Sequence, residues 1–284
     1  MLIAQITDLH IGADSPMPSD ANLSRLDAVL NELEAMPALP DHLLVTGDLT
    51  EHGDEASYRL LGQRLAQCPF PSHLLLGNHD LRTGFRRVFA DAADADGFVQ
   101  YVVETPSLRL ILLDTLEEGR HGGGFCETRA AWLAERLDEA PDRPALIALH
   151  HPPIDSGIAW MTTDPAEPWV ARLRQAIAGR GNIVALVCGH LHRPITGMLD
   201  RAPVAVAPAT AMPLALTLEP IDFDHPDHRP LVTDGPPSYA LHRWYNGSFV
   251  THFGVVGATP IQRYDAAIQP FLRRMNAERP ISGP

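Results

Sequence analysis

The sequence predicts an α/β fold with mixed β-sheets and helices packed against them. Short apolar runs alternate with amphipathic segments in the first half of the chain. Two strand-like runs lie next to each other in the middle, and most apolar runs end in a polar cluster. Alternation of strands and helices predicts βαβ units with a parallel sheet, whereas adjacent strands joined by a turn add antiparallel pairs.

The first half of the chain supplies three strands and two helices. The helix predicted over 20–35 places Leu26, Leu30 and Leu33 on one face, at the spacing of an amphipathic helix. Each strand in this half leads directly into polar residues. The predicted elements are strand 2–7, helix 20–35, strand 42–46, helix 54–67 and strand 73–76.

The second half begins with two neighbouring strands, over 98–104 and 108–113, which the turn Thr105–Pro106–Ser107 joins. Near the end of the chain, Asn246–Gly247 is typical of a two-residue hairpin turn and predicts a hairpin over 239–256. The other elements predicted here are helix 127–139, strand 145–149, helix 168–178, strands 183–188 and 202–207, a loop over 219–237 and a helix over 261–275.

Composition and charge exclude several classes of function. The net charge of −13 argues against a non-specific grip on nucleic acid and against docking on anionic membranes. No apolar stretch reaches the roughly 18 residues of a membrane span, and no basic segment precedes the first strand, so we expect a cytoplasmic protein. Three cysteines do not make a disulfide framework, although Cys126 leaves an intersubunit disulfide open.

Five polar clusters follow predicted strands directly, and they hold six of the fourteen histidines. A lone histidine is usually a surface or core residue. Five clusters at strand ends indicate a binding site instead, because the ends of α/β strands converge on a ligand-binding crevice. The clusters are Asp8–Leu9–His10, Gly47–Asp48, Gly77–Asn78–His79–Asp80, His150–His151–Pro152–Pro153 and Gly189–His190–Leu191–His192.

These clusters contain seven potential metal ligands. An extended backbone points residues i and i+2 to the same side, which we expect for Asp8 with His10 and for His190 with His192. Carboxylate and imidazole donors suit Zn, Mn, Fe or Co better than Ca or Mg. Seven ligands exceed one four-coordinate ion but serve two ions that share a carboxylate. The candidates are Asp8, His10, Asp48, Asn78, His150, His190 and His192.

The series Asp-x-His, Gly-Asp, Gly-Asn-His-Asp, His-His-Pro-Pro and Gly-His-x-His resembles the calcineurin-like metallophosphoesterases. Within that family it is most similar to class III cyclic-nucleotide phosphodiesterases and bacterial glycerophosphodiesterases. The resemblance covers about residues 1–215 and implies a four-layer αββα sandwich. It departs at Leu191, where some family members have a polar residue. We expect a catalytic core over 1–215, with 216–284 packed on it as a lid or oligomerisation element.

The resemblance also assigns roles. It implies that Asp8, His10 and His192 bind the first metal and that Asp48 bridges both ions, with Asn78, His150 and His190 binding the second. His79 would steady the phosphoryl oxygens or protonate the leaving group, and Asp80 would orient His79. Because a ligand should sit directly at the strand end, His150 is favoured as the ligand and His151 as its neighbour outside the coordination shell.

The function expected from this site is metal-dependent hydrolysis of small phosphodiesters, such as cyclic nucleotides or glycerophosphodiesters, by a hydroxide between the two ions. A broad-specificity phosphomonoesterase with the same site remains an alternative, as does, more remotely, a non-catalytic scaffold. Nucleic acid and membrane partners are not expected, and a homo-oligomer is open. A further metal cluster at His225, Asp227 and His228 is less favoured than a solvated acidic loop.

Overall fold

The computed structural model of the protein describes residues 1–12, 21–90 and 96–278. None of the helices in these ranges is long and apolar enough to cross a membrane. The elements are β1 (Leu2–Ile6), α1 (Ala21–Glu34), β2 (His42–Thr46), α2 (Glu55–Leu65), β3 (Ser72–Leu75), α3 (Arg82–Val88), β4 (Tyr101–Glu104), β5 (Arg109–Leu112), α4 (Glu127–Asp138), β6 (Ala145–Ala148), α5 (Pro168–Ile177), β7 (Ile183–Cys188), β8 (Ile195–Leu199), β9 (Ala202–Val206), β10 (Ser238–Tyr245), β11 (Ser248–Val255) and α6 (Gln269–Ala277).

The first sheet has five strands in the order β11–β10–β1–β2–β3. Its β1, β2 and β3 are parallel, with Ile3 opposite His42 and Leu43 opposite Ser72. β10 pairs antiparallel with β1, and β11 pairs antiparallel with β10, so the C-terminal hairpin extends this sheet. The hairpin turn at Asn246–Gly247 is confirmed, since φ is 48° and 74° at these residues.

The second sheet has six strands in the order β4–β5–β6–β7–β9–β8. β5, β6, β7 and β9 are parallel, whereas β4 and β8 pair antiparallel at the two edges. Both sheets are therefore mixed, as the sequence predicts. The parallel strands β6 and β7 end immediately before two of the polar clusters, which brings those clusters to one edge of the sheet.

Alternate side chains of a strand enter different apolar layers. In β6, Ala145 and Ile147 pack with residues of α4 and α5, whereas Leu146 and Ala148 pack against residues of the first sheet such as Leu44. A third layer joins the outer face of the first sheet to α1 and α2. Three apolar layers between two sheets and two sets of helices make the predicted αββα sandwich.

Three elements differ from the prediction. The helix α3 and the edge strand β8 were not predicted, because each is short and interrupted by glycine, Gly84 in α3 and Gly197 in β8. The terminal helix begins at Gln269 rather than at 261, since Pro270 lies in its first turn, where the missing N–H costs no helical bond. None of the described residues of α6 is buried.

Candidate metal centre

The clusters meet where the two sheets face each other at their C-terminal ends. The backbone N–H of Asp8, after β1, donates to the Gly47 carbonyl after β2 (3.0 Å). In the second sheet, Gly189 donates to the His150 carbonyl (3.0 Å). The two sheets are tied together by the Asp8 carboxylate, which accepts the N–H of His190 at 3.0 Å. The first and last clusters are thus held side by side across the sandwich.

The backbone at the ligand candidates is left-handed rather than extended. Five of the seven have positive φ, a conformation that non-glycine residues rarely adopt and that concentrates at functional sites. The expected extended geometry of Asp8-x-His10 and His190-x-His192 is therefore wrong, because each pair lies in a tight turn. The values are 52° at Asp8, 46° at His10, 47° at Asp48, 72° at His190 and 49° at His192.

Two glycines let these turns approach each other. A Cβ at Gly189 would lie 1.9 Å from Thr7 Oγ1, and one at Gly77 would lie 2.3 Å from Asp48 Oδ1. Real Cβ atoms do not come this close to other atoms, so any side chain here would push the turns apart. The glycine that precedes Asn78 and the glycine that precedes His190 are therefore requirements of the site geometry.

The structure brings the predicted ligands together. Three groups of side chains in the described ranges each have ligand atoms within 4.8 Å of one another. Asn78 joins them through its Oδ1, which is 3.2 Å from His150 Nε2. His190 and His192, expected on one side, fall in different groups. The groups are Asp8, His10, Asp48 and His192; His150, His151 and His190; and His10, Glu51 and His79.

In the first group, two lone pairs face each other. His192 Nδ1 lies 2.8 Å from the Met212 carbonyl and His10 Nδ1 lies 2.7 Å from Glu51 Oε2, so both Nδ1 atoms donate a proton. Neutral imidazoles in this state have lone pairs on Nε2. The two Nε2 atoms are only 3.2 Å apart, an arrangement that a cation between them stabilises.

The second group is built around His150. His150 Nδ1 donates to the Thr46 carbonyl (2.8 Å). Burial acts to lower the pKa of His150, but the Asp48 carboxylate raises it to about 9, so Nε2 carries a proton that faces acceptors. These acceptors are Asn78 Oδ1 at 3.2 Å and Asp48 Oδ2 at 3.3 Å. Nearby, His190 Nδ1 is buried and has no hydrogen-bond partner among the described residues. A metal ion here would replace the proton on His150 and give the His190 nitrogen a partner, and Asp48 lies within reach of both groups.

The electrostatics also favour positive charge. Burial raises the pKa of Asp8 to about 6. Burial acts on Asp48 in the same direction, but the neighbouring His150 holds the pKa of Asp48 well below its ordinary value. Burial lowers the pKa of His190 and of His192, which keeps these rings neutral and able to offer a lone pair. Neutral imidazole beside carboxylate is the form that binds metal ions.

His79 stands beside the first group and is partly open to solvent, with 32% of its side chain exposed. Its backbone N–H donates to Asp48 Oδ1 (2.9 Å), and its ring lies 4.7 Å from that of His10. Its Nδ1 is 3.3 Å from the Glu51 carbonyl and 3.5 Å from Glu51 Oε1. The hydrogen bond with Glu51 raises the pKa of His79 to about 9.

The family model for calcineurin-like phosphoesterases matches residues 1–194, the span that holds every cluster.

The chain belongs to the calcineurin-like phosphoesterase family. A relative in Arcobacter nitrofigilis named "Probable glycerophosphodiester phosphodiesterase GpdQ" is 28% identical, over 90% of this chain and 94% of its own. The cAMP/cGMP dual specificity phosphodiesterase of Mycobacterium tuberculosis is 32% identical, over 76% of this chain and 70% of its own. The crystal structure of a dimetal phosphatase from Danio rerio has a TM-score of 0.64 at 15% identity, covering 89% of this chain and 95% of its own, and supports the fold.

Asp80 was expected to orient His79, but its carboxylate binds other groups. Its buried carboxylate accepts the N–H groups of Gly77 (2.9 Å) and Leu49 (3.1 Å) and the Tyr58 hydroxyl (2.9 Å). Asp80 therefore holds the loop after β3 against the loop after β2. The carboxylate next to His79 is that of Glu51. Glu51 follows Asp48 by one short turn, and its Oε1 lies 3.5 Å from His79 Nδ1.

The choice between His150 and His151 stays a prediction. His150 faces Asp48 and Asn78, whereas His151 Nδ1 is 2.9 Å from Thr115 Oγ1. His151 Nε2 is buried without a hydrogen-bond partner in the described ranges, and it belongs to the same group as His190. These contacts favour His150 over His151 as the residue that faces Asp48.

Two residues at the site were missed from the sequence. Glu51 contacts His10 and His79, and its spacing of three residues from Asp48 was the available signal. His121 lies in a glycine-rich loop, 3.3 Å from Asn78 and with its ring 4.8 Å from that of His190. Burial lowers the pKa of His121, so its ring is neutral. No pattern in the sequence connected that loop to the clusters.

Proposed function

We propose that this protein hydrolyses small phosphodiesters with the help of two metal ions held at the meeting point of the two sheets. The observation that carries the proposal is the convergence of two groups of candidate ligands on Asp48, the facing Nε2 atoms of His10 and His192 on one side and His150 with Asn78 on the other. Both groups have ligand atoms close enough to hold a metal ion, and Asp48 lies within reach of each. The names of the relatives, a glycerophosphodiester phosphodiesterase and a cyclic-nucleotide phosphodiesterase, point to diesters as the substrate class.

The proposed ligands divide between the two ions as follows. Asp48 lies between the groups, with Oδ2 3.7 Å from His10 Nε2 and 3.3 Å from His150 Nε2, and would be shared by both ions. The first ion takes Asp8, His10 and His192, and the second takes Asn78, His150 and His190. Nitrogen and oxygen donors of this kind suit Mn, Fe, Zn or Co. The identity of the bound metals is a separate measurement.

When bound, such a pair of ions supplies an activated water and neutralises charge on the phosphoryl oxygens. The protein's own residues provide the remaining steps. Glu51 holds the Nδ1 side of His79 and raises the pKa of the ring, which favours a bound proton. The open Nε2 of His79 then donates that proton to the leaving alkoxide. Glu51 also fixes His10 with its Nε2 directed inward.

A test compares two chromogenic substrates on the full chain. The protein is stripped with chelator, reloaded with Mn²⁺ and assayed with bis(p-nitrophenyl) phosphate and p-nitrophenyl phosphate. We expect metal-restored hydrolysis that favours the diester, followed by activity on cyclic AMP or a glycerophosphodiester. Preference for the monoester would assign a phosphatase instead. Absence of any metal-dependent hydrolysis of either substrate would refute the proposal.

Three further expectations remain proposals beside this one. They are the cytoplasmic location, the division of the chain at residue 215, and homo-oligomerisation through the C-terminal part. Beyond residue 215, the strands β10 and β11 extend the first sheet. Fractionation of cells and sedimentation of the purified chain would test the location and the oligomeric state.

A further inference from the structure

His121 lies beside the proposed second metal site but outside all five sequence clusters. It belongs to the loop between β5 and α4. Its Nδ1 is 3.3 Å from the Asn78 amide nitrogen, and its Nε2 is 3.1 Å from the sulfur of Met161. Both neighbours come from other loops, and Met161 is buried, so His121 connects the loop after β3 to the loop after β6.

The contact with Met161 decides which ring nitrogen carries the proton. A thioether sulfur only accepts hydrogen bonds, so Nε2 must be the donor. A neutral ring then has its lone pair on Nδ1, which accepts a hydrogen bond from the Asn78 amide nitrogen. With its nitrogen engaged on this side, the Asn78 amide turns its oxygen to the other side, where His150 Nε2 lies at 3.2 Å.

The orientation of this amide matters because only its oxygen binds a metal ion. Asn78 is partly exposed, and its amide nitrogen contacts His121 whereas its amide oxygen contacts His150. A flipped amide would present two N–H donors to the ion and lose a ligand. We propose that His121 is a positioning residue, which sets the affinity of the second metal site by holding the Asn78 amide with its oxygen inward.

This inference rests on the proposed two-metal function, and the test separates the two. His121→Leu removes the acceptor, whereas His121→Asn keeps an acceptor oxygen on the δ position. His252→Leu, on the outer strand β11, is the matched control for loss of an exposed imidazole. Full-length proteins are dialysed against graded free Mn²⁺, and bound metal is counted by elemental analysis. Activity is not needed for this readout.

We expect His121→Leu to raise the second Mn²⁺ dissociation constant by about 10- to 100-fold, the usual effect of losing a residue that orients a ligand. The first constant should not change, and His121→Asn and His252→Leu should resemble the unchanged chain. An unchanged second constant in His121→Leu would overturn the role of His121, as would equal loss at both sites. Binding of fewer than two ions by the unchanged chain would overturn the two-metal proposal as well.

Discussion

His242 makes the stability of the fold sensitive to acid, independently of the metal centre. It is fully buried on β10, with Nε2 2.8 Å from Gln5 Oε1 and Nδ1 2.8 Å from Thr251 Oγ1. Gln5 in turn donates to the Cys188 carbonyl (2.9 Å) of the other sheet. Burial lowers the pKa of His242 from 6.5 to about 3, because a charged imidazole cannot be hydrated there.

The sign of the effect follows from proton binding in the two states. Below pH 6.5 the unfolded chain takes up a proton at His242, whereas the folded chain does so only near pH 3. The contribution of His242 to stability is therefore present in full well above pH 6.5 and is lost as the pH falls towards 3. Since one pKa unit corresponds to about 1.4 kcal/mol, we expect a loss of about 2 kcal/mol between pH 6.5 and about pH 4.5 from this residue.

Urea unfolding of the unchanged chain and of His242→Gln across this pH range measures the effect. Glutamine keeps a donor and an acceptor but does not titrate, so the stability difference between the two proteins should shrink or reverse on acidification by about the calculated amount. His252→Gln, an exposed change on β11, should leave the slope as it is. A difference between the unchanged chain and His242→Gln that stays constant with pH would refute the reasoning.

Three predictions concern the metal centre. Asp48→Asn should remove the bridge and abolish hydrolysis and the binding of a second Mn²⁺ by elemental analysis; a fully active variant with two ions would contradict the assignment. His79→Ala should keep both ions but lower kcat by about 10²–10⁴-fold, as is typical of a lost acid, and an unchanged kcat would remove His79 from the reaction. Glu51→Gln should weaken the first Mn²⁺ site by about 10- to 100-fold, because His10 loses the carboxylate that orients it; titration with Mn²⁺ would show no change if Glu51 were only a surface charge.

Most of the fold could be predicted because strands and helices have different apolar periods. Strands β2 and β7 have the predicted bounds, and the hairpin follows from Asn246–Gly247. Short elements escaped this reasoning. Four or five residues that include a glycine, as in β8, give too little pattern, and only pairing with β9 makes them a strand. The four-layer arrangement came from the family resemblance rather than from periodicity.

The candidate site was predictable in its residue types and not in its geometry. Asp and His at strand ends are visible in the sequence, whereas the left-handed turns at Asp8 and His190 are set by contacts with distant segments. Glu51 and His121 were missed for the same reason. Each acts on a ligand 41 to 43 residues away along the chain, His10 and Asn78 respectively, and only the packed loops bring them together.

The ligand turns depend on the packing of the two sheets. Each non-glycine residue in a left-handed conformation costs about 1 kcal/mol or more, and such strain persists only where surrounding contacts fix it. Here the fixing contacts cross the sandwich, since the Asp8 carboxylate accepts the His190 N–H and His150 donates to the Thr46 carbonyl. The apolar layer between the sheets, where Leu44 meets Leu146, stabilises those contacts. Each sheet thus supplies hydrogen-bond partners to the strained turns of the other.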